Sequence, residues 1–170
     1  MIKQLLIIFS TLLLPSACML RSGVKTRIKK RAQEEIKQSL GNQAQTYKLL
    51  GISDVDSAFG KNYYTKAEVQ GIMLMMEKIT QTIMHRTNNM KTFNPDDQFV
   101  MNLAERQMVA IDSISRMTIQ SEQKGAWSGW KVKVDYLALD RAGKEYRAER
   151  WMFFDKHGKQ VEHSFELPLP

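Results

Sequence analysis

The chain has 170 residues, a formal charge of +7 from 25 Lys and Arg against 18 Asp and Glu, and a single cysteine. One cysteine excludes a disulfide framework and a cysteine-rich zinc site. With 43% apolar and 25% charged residues the composition is that of one folded domain, not of a disordered chain.

The first element is an address. Lys3 precedes an apolar run over residues 5–14, followed by Pro15, Ser16, Ala17 and Cys18. A basic start, a short apolar stretch and small residues before a cut describe a signal peptide. A membrane-spanning helix needs about 20 apolar residues, and Pro15 ends this run well short of that. Ser16, Ala17 and Cys18 match a lipoprotein cleavage box, although Pro15 stands where a Leu is usual. The expectation is a signal peptide over residues 1–17 and a chain that begins at an acylated Cys18, held on membrane lipid. Similarity to Gram-negative lipoproteins implies the outer membrane, because Met19 and Leu20 rather than Asp follow the cysteine. With no acidic cluster there, the periplasmic face is expected.

Arg21, Lys25, Arg27, Lys29, Lys30 and Arg31 then form a basic block ahead of the first acid, Glu34. Beside a lipid anchor such a block suits anionic headgroups better than nucleic acid. A solvated helix face accounts for it equally well. Val24, Ile28, Ala32, Ile36 and Leu40 recur every four residues, the mark of a narrow apolar helix stripe that Gly41 can stop. Residues 18–41 read as a lipid-anchored basic helical tether, lying on the domain or standing off it. Residues 42–170 read as a single globular domain.

Tyr47 to Ile52 has the look of a short strand, and Ser53 is placed to cap a helical turn through Phe59. Thr65-Lys66-Ala67-Glu68 is a capping box, in which hydroxyl and carboxylate each satisfy an orphan backbone N–H. The helix that follows shows Val69, Ile72, Met73, Met76, Ile79 and Ile83 on one side and should stop near Thr87-Asn88-Asn89. Asn94-Pro95-Asp96-Asp97 announces another helix, Asn as cap and Pro in the first helical position. Its expected buried face is Phe99, Val100, Leu103, Ala110, Ile111, Ile114 and Met117.

After Gly125 the period becomes two. Trp130, Val132, Val134, Tyr136 and Ala138 alternate with polar residues, then Tyr146 to Phe154, then Val161 to Leu167. Asp140 to Gly143 and Asp155 to Gly158 are turns of the same D-x-x-G type. The expected fold is α+β: an N-terminal helix, then an antiparallel helix pair packed on a three- to four-stranded antiparallel meander. Placing Trp130, Tyr136, Tyr146, Met152 and Phe154 toward the helix pair leaves Trp151 and Phe153 on the other face. Those two are a candidate partner surface unless the first helix or residues 42–63 cover them.

Chemistry-bearing constellations are sparse. His85, His157 and His163 form no i,i+4 ligand pair. Met73, Met75 and Met76 are soft donors of the kind that hold Cu(I), but two of them sit on the expected core stripe, where Met is a common filler. The pairs Asp96-Asp97 and Asp54-x-Asp56 stand at expected helix starts, where acids are structurally useful. There is no G-x-S-x-G element and no glycine-rich phosphate loop. The reading is a non-enzymatic binding or interaction module with no cofactor and no metal, its partner an envelope protein. A small-ligand or metal carrier and a membrane-anchored immunity or inhibitor protein are the alternatives.

Gly129-Trp130-Lys131-Val132, Phe153-Phe154-Asp155-Lys156 and Asp56-Ser57-Ala58-Phe59 resemble segments of small Bacteroidetes lipoproteins of unassigned activity, over residues 47–165. Helices ahead of a curved meander are also similar to the nuclear-transport-factor-like and cystatin-like folds, an analogy of fold that implies no function.

Overall fold

The structure is a computed structural model that describes the backbone of residues 15–60, 64–120, 125–140 and 142–170 and the side chains of all of these except 15–21 and 117–120. Residues 1–14 of the expected signal segment, and the side chains of Cys18 and Arg21, lie outside the described residues. In chain order come α1 (Pro15–Leu40), a 3-10 turn (Gly41–Thr46), β1 (Lys48–Ile52), β2 (Asp56–Phe59), α2 (Lys66–Arg86), α3 (Gln98–Gln120), β3 (Trp127–Leu139), β4 (Glu145–Phe154) and β5 (Val161–Leu169). The fold is α+β, as expected. Among the described residues no helix is long and apolar enough to cross a membrane.

The sheet is antiparallel throughout. β3, β4 and β5 form the meander, with Val132 opposite Met152 and Trp151 opposite Phe165. β1 and β2 share the outer edge of β3, end to end: Ile52 pairs with Val134 and Asp56 with Lys131. Five strands thus fill four positions. The helical turn expected after Ser53 is instead the strand β2. Ser53 links the two edge strands by accepting the Lys133 N–H on its hydroxyl and donating its own N–H to the Lys133 carbonyl.

Side chains alternate across β3 and β4, so the sheet has two apolar faces, each with its own cover. Trp130, Val132, Val134, Tyr136, Met152 and Phe154 meet Ile28, Ala32 and Ile36 of α1. Trp151, Phe153, Phe165 and Leu167 meet Ile72, Met76 and Ile79 of α2 and Leu103, Ala110 and Ile114 of α3. This reverses the expected faces. The stripe repeating every four residues in α1 is narrow, and it lies along the β3–β4 pair. α1 from Val24 onward is part of the packed body, with Ile28, Ala32 and Ile36 wholly buried.

The capping box forms as written: the Glu68 N–H donates to the Thr65 hydroxyl and the Thr65 N–H to the Glu68 carboxylate. α2 ends at Arg86, and Asn88, Asn89 and Met90 turn the chain through positive φ. α3 begins later than expected. Asn94 makes a local turn by accepting the Asp96 N–H, and Asp97 is the cap that accepts from Phe99 and Val100. The buried faces also need correction. Met73, Phe99 and Ile111 are exposed, while Gln107 is buried, its amide donating to the Met76 carbonyl and the Thr80 hydroxyl. At Gly129 the strand passes so near β4 that a Cβ would stand 2.0 Å from the Phe154 carbonyl oxygen.

Candidate functional site

α1 crosses its face of the sheet antiparallel to β4. Near one end of the sheet Val24 and Ile28 lie against Gly158 in the β4–β5 turn. At the other, just past its C-terminus, Gln43 of the 3-10 turn donates to the Asp140 carbonyl in the β3–β4 turn. There, between the end of α1 and the flank of α3, opens a cleft of about 790 Å³. Ser39, Asn42, Asn102, Arg106, Asp140 and Tyr146 are among its walls.

A charged network holds the floor. The Arg106 guanidinium pairs with Glu166 Oε1, and the Tyr136 hydroxyl donates to Glu166 Oε2. Arg106 also lies flat on Tyr146, 3.4 Å from the ring centroid, a cation–π contact. Its Nη1 is buried without a hydrogen-bond acceptor. Tyr136 and Tyr146 pack edge to face at 6.2 Å. Burial, with the Glu166 charge beside it, pushes the Tyr136 hydroxyl far above the ordinary tyrosine range. Tyr47, packed on Tyr136 at 5.6 Å, is pushed by burial to about 12. Both phenols stay protonated at any physiological pH.

The rim is tied by Asp140. One carboxylate oxygen accepts the N–H groups of Ala142 and Lys144, and the other accepts the Asn102 amide at 2.9 Å. One side chain therefore joins the β3–β4 turn to α3, while its carbonyl holds the 3-10 turn. Both Glu166 oxygens are engaged within the network. The cleft offers hydrogen-bonding groups on rigid walls, which suits recognition of a polar ligand.

The residues singled out from sequence are scattered. Trp151 and Phe153 are buried, 4% and 0% exposed, beneath Tyr64 and the helix pair. They are not a partner surface, because the face they line is the one the helix pair covers. Among the described residues the large exposed apolar side chains of the helices are Met73 and Leu74 on α2 and Phe99, Met101, Met108, Val109 and Ile111 on α3. His85 and His157 are exposed, and His163 stacks on Phe153 at 5.6 Å. Among the described residues no three His, Cys, Asp or Glu are grouped to hold a metal ion. Met76 is buried and Met73 exposed, so these thioethers do not converge.

Within the basic block, Lys29 pairs with Asp54 at 3.3 Å, and Lys30 and Arg31 each face an acid one turn on, Glu34 and Glu35. Among the described residues Lys25 and Arg27, in the N-terminal half of α1, have no acid paired with them in this way. Sequence reasoning missed Arg106, Tyr136, Tyr146 and Glu166 as a group, since they come from four elements up to 60 residues apart. No local signal marks them: Glu166 falls on the polar positions of its alternating strand, as Glu162 does.

Comparison of the chain with protein-family models, with curated proteins and with solved structures finds no match.

Proposed function

We propose that the protein is an envelope lipoprotein, anchored through an acylated Cys18, whose α+β domain is a non-enzymatic binding module. Its site is the cleft between the C-terminal end of α1 and α3, and its ligand is a polar segment of an envelope partner. The observation that carries the reading is the Arg106–Glu166–Tyr136 network. A charged floor built from three elements and closed on itself gives a preformed, rigid wall. Asn42 and Glu105 on the walls remain to meet a ligand. The anchor is supported by the cysteine's setting in the sequence and by its place on the helix α1, about 9 Å along the axis N-terminal to Val24.

The test has two arms. Cells producing wild type or Cys18→Ser are fed a clickable fatty acid, and label should appear in the wild type only. A photoreactive residue at position 105, on the cleft wall, or at position 34, on the outer side of α1, is irradiated in intact cells. Adducts of one defined mass should form from 105 and not from 34, and should vanish with Arg106→Ala. Equal labelling of both proteins would remove the anchor. Identical adducts from both positions would remove the cleft.

A further inference from the structure

The end of the sheet opposite the cleft is the end from which α1 projects. α1 is helical from Pro15, and its contact with the sheet at this end is Val24 and Ile28 against Gly158. At 1.5 Å per residue, residue 18 stands about 9 Å beyond Val24 along the helix. This same end carries exposed aromatic and basic groups. Phe59 and Trp127 are register partners on β2 and β3, 54% and 37% exposed. Lys156 of the β4–β5 turn lies over the Trp127 ring, 5.7 Å from its centroid, and Lys159 is exposed in the same turn. Lys25 and Arg27 follow on α1.

Three of the acids nearby are already engaged. Asp54 pairs with Lys29 and Glu68 with Lys131. The Asp155 carboxylate turns onto the N–H groups of Lys159 and Gln160. Asp155, Asp56 and Glu162 keep their charges at this end, against Lys25, Arg27, Lys156 and Lys159, so the balance is a small positive excess, and its apolar groups are a Phe and a Trp at the rim.

We infer that this end, formed by Phe59, Trp127, Lys156, Lys159 and Lys25, is a docking surface for an anionic lipid bilayer. The inference rests on the anchored reading above and adds to it the attitude of the domain. Indole and phenyl rings beside lysines are the groups that settle at a headgroup boundary. Basic residues there are drawn to anionic lipid within a Debye length, about 10 Å, which is the span from residue 18 to the turn. An anchor at residue 18 keeps this end at high local concentration beside the membrane. The domain then stands on its Trp127 end, and the cleft, at the far end of α1, faces away from the lipid.

The test uses the full chain, recovered from membranes and reconstituted into phosphatidylethanolamine–phosphatidylglycerol vesicles with brominated acyl chains. Tryptophan emission is the readout. Of three tryptophans, Trp130 and Trp151 are buried and Trp127 is exposed, so bromine should lower emission through Trp127. The drop should disappear in Trp127→Phe and fall by about half in Lys156→Glu/Lys159→Glu. Emission unchanged by bromine in a chain that floats with the vesicles overturns the docking alone. So does a drop that survives Trp127→Phe, or one equal in purely zwitterionic vesicles. A chain that neither floats nor takes fatty-acid label overturns the anchored reading, and the docking with it.

Discussion

Lys131, in the middle of β3, extends its ammonium to 2.6 Å from Glu68 Oε2, and that same oxygen accepts the Thr65 N–H. The lysine side chain is 8% exposed and the glutamate 22%. A capping box that the sequence spells out as local chemistry is thus also the clasp between α2 and the sheet. Neutralising the acid removes the charge that faces a buried ammonium, while the Gln side-chain carbonyl can still accept the Thr65 N–H. Glu68→Gln should cost roughly 2–4 kcal/mol in denaturant unfolding, the lower part of the buried-pair range because solvent reaches the carboxylate. Lys131→Met alone should cost less, and the double variant should recover most of the loss. Additive losses in the double variant would show that the clasp carries no coupling.

Gly158 holds the other helical layer. Its φ is +65°, and a Cβ there would lie 2.8 Å from Ile28 Cγ1 and 2.9 Å from Cδ1. Gly158→Ala adds backbone strain to an overpacked contact and should destabilise by about 1–3 kcal/mol. Because the flexible end of Ile28 is what it strikes, Ile28→Val should return part of the loss. Thermal unfolding of the two single variants and the double variant measures this.

The methionines of α2 separate by environment. Met76 is 7% exposed in the core beneath α2 and Met73 is 58% exposed. Met76→Ala should cost about 2–4 kcal/mol through the cavity it leaves, and Met73→Ala should stay within about 0.5. Equal effects in urea titrations would contradict the packing of α2.

His163 is half-buried, and burial lowers its pKa from the ordinary 6.5. In the fold the ring stays neutral at pH values where the unfolded chain already takes a proton. The unfolded state therefore binds more protons below 6.5, and stability rises with pH through that window. The protein should be fully stabilised above about pH 6.5 and lose this contribution as pH falls toward the depressed folded value. His163→Phe keeps a ring on Phe153 and should flatten the stability profile just below pH 6.5. An unchanged slope would assign the acid sensitivity to other groups.

Local chemistry is what the sequence carried. The Thr65–Glu68 box, the stop at Thr87 to Asn89 and the two D-x-x-G turns depend on residues a few positions apart, and each stands where the pattern put it. The antiparallel meander follows from alternation joined by short turns. The cap of α3 fell at Asp97 and not Asn94, because two acids and an Asn all offer side-chain oxygens and the choice among them depends on where the helix must enter the sheet's cover.

Partnership across the fold is what only the tertiary structure decided. Alternation divides β3 and β4 into two faces but does not say which helices cover which, because apolar burial is non-directional and both assignments remove similar area from water. That is why Trp151 and Phe153 were open to two readings and prove to be core. The cleft was equally hidden, since Arg106, Tyr136 and Glu166 each look like ordinary members of a helix or strand. They become a site because α3 flanks the outer strand β5, which brings a guanidinium to a carboxylate 60 residues away. The basic start of α1 was written in the sequence, but the aromatic and lysine groups beside it at the same end of the sheet come from chain segments brought together only by folding.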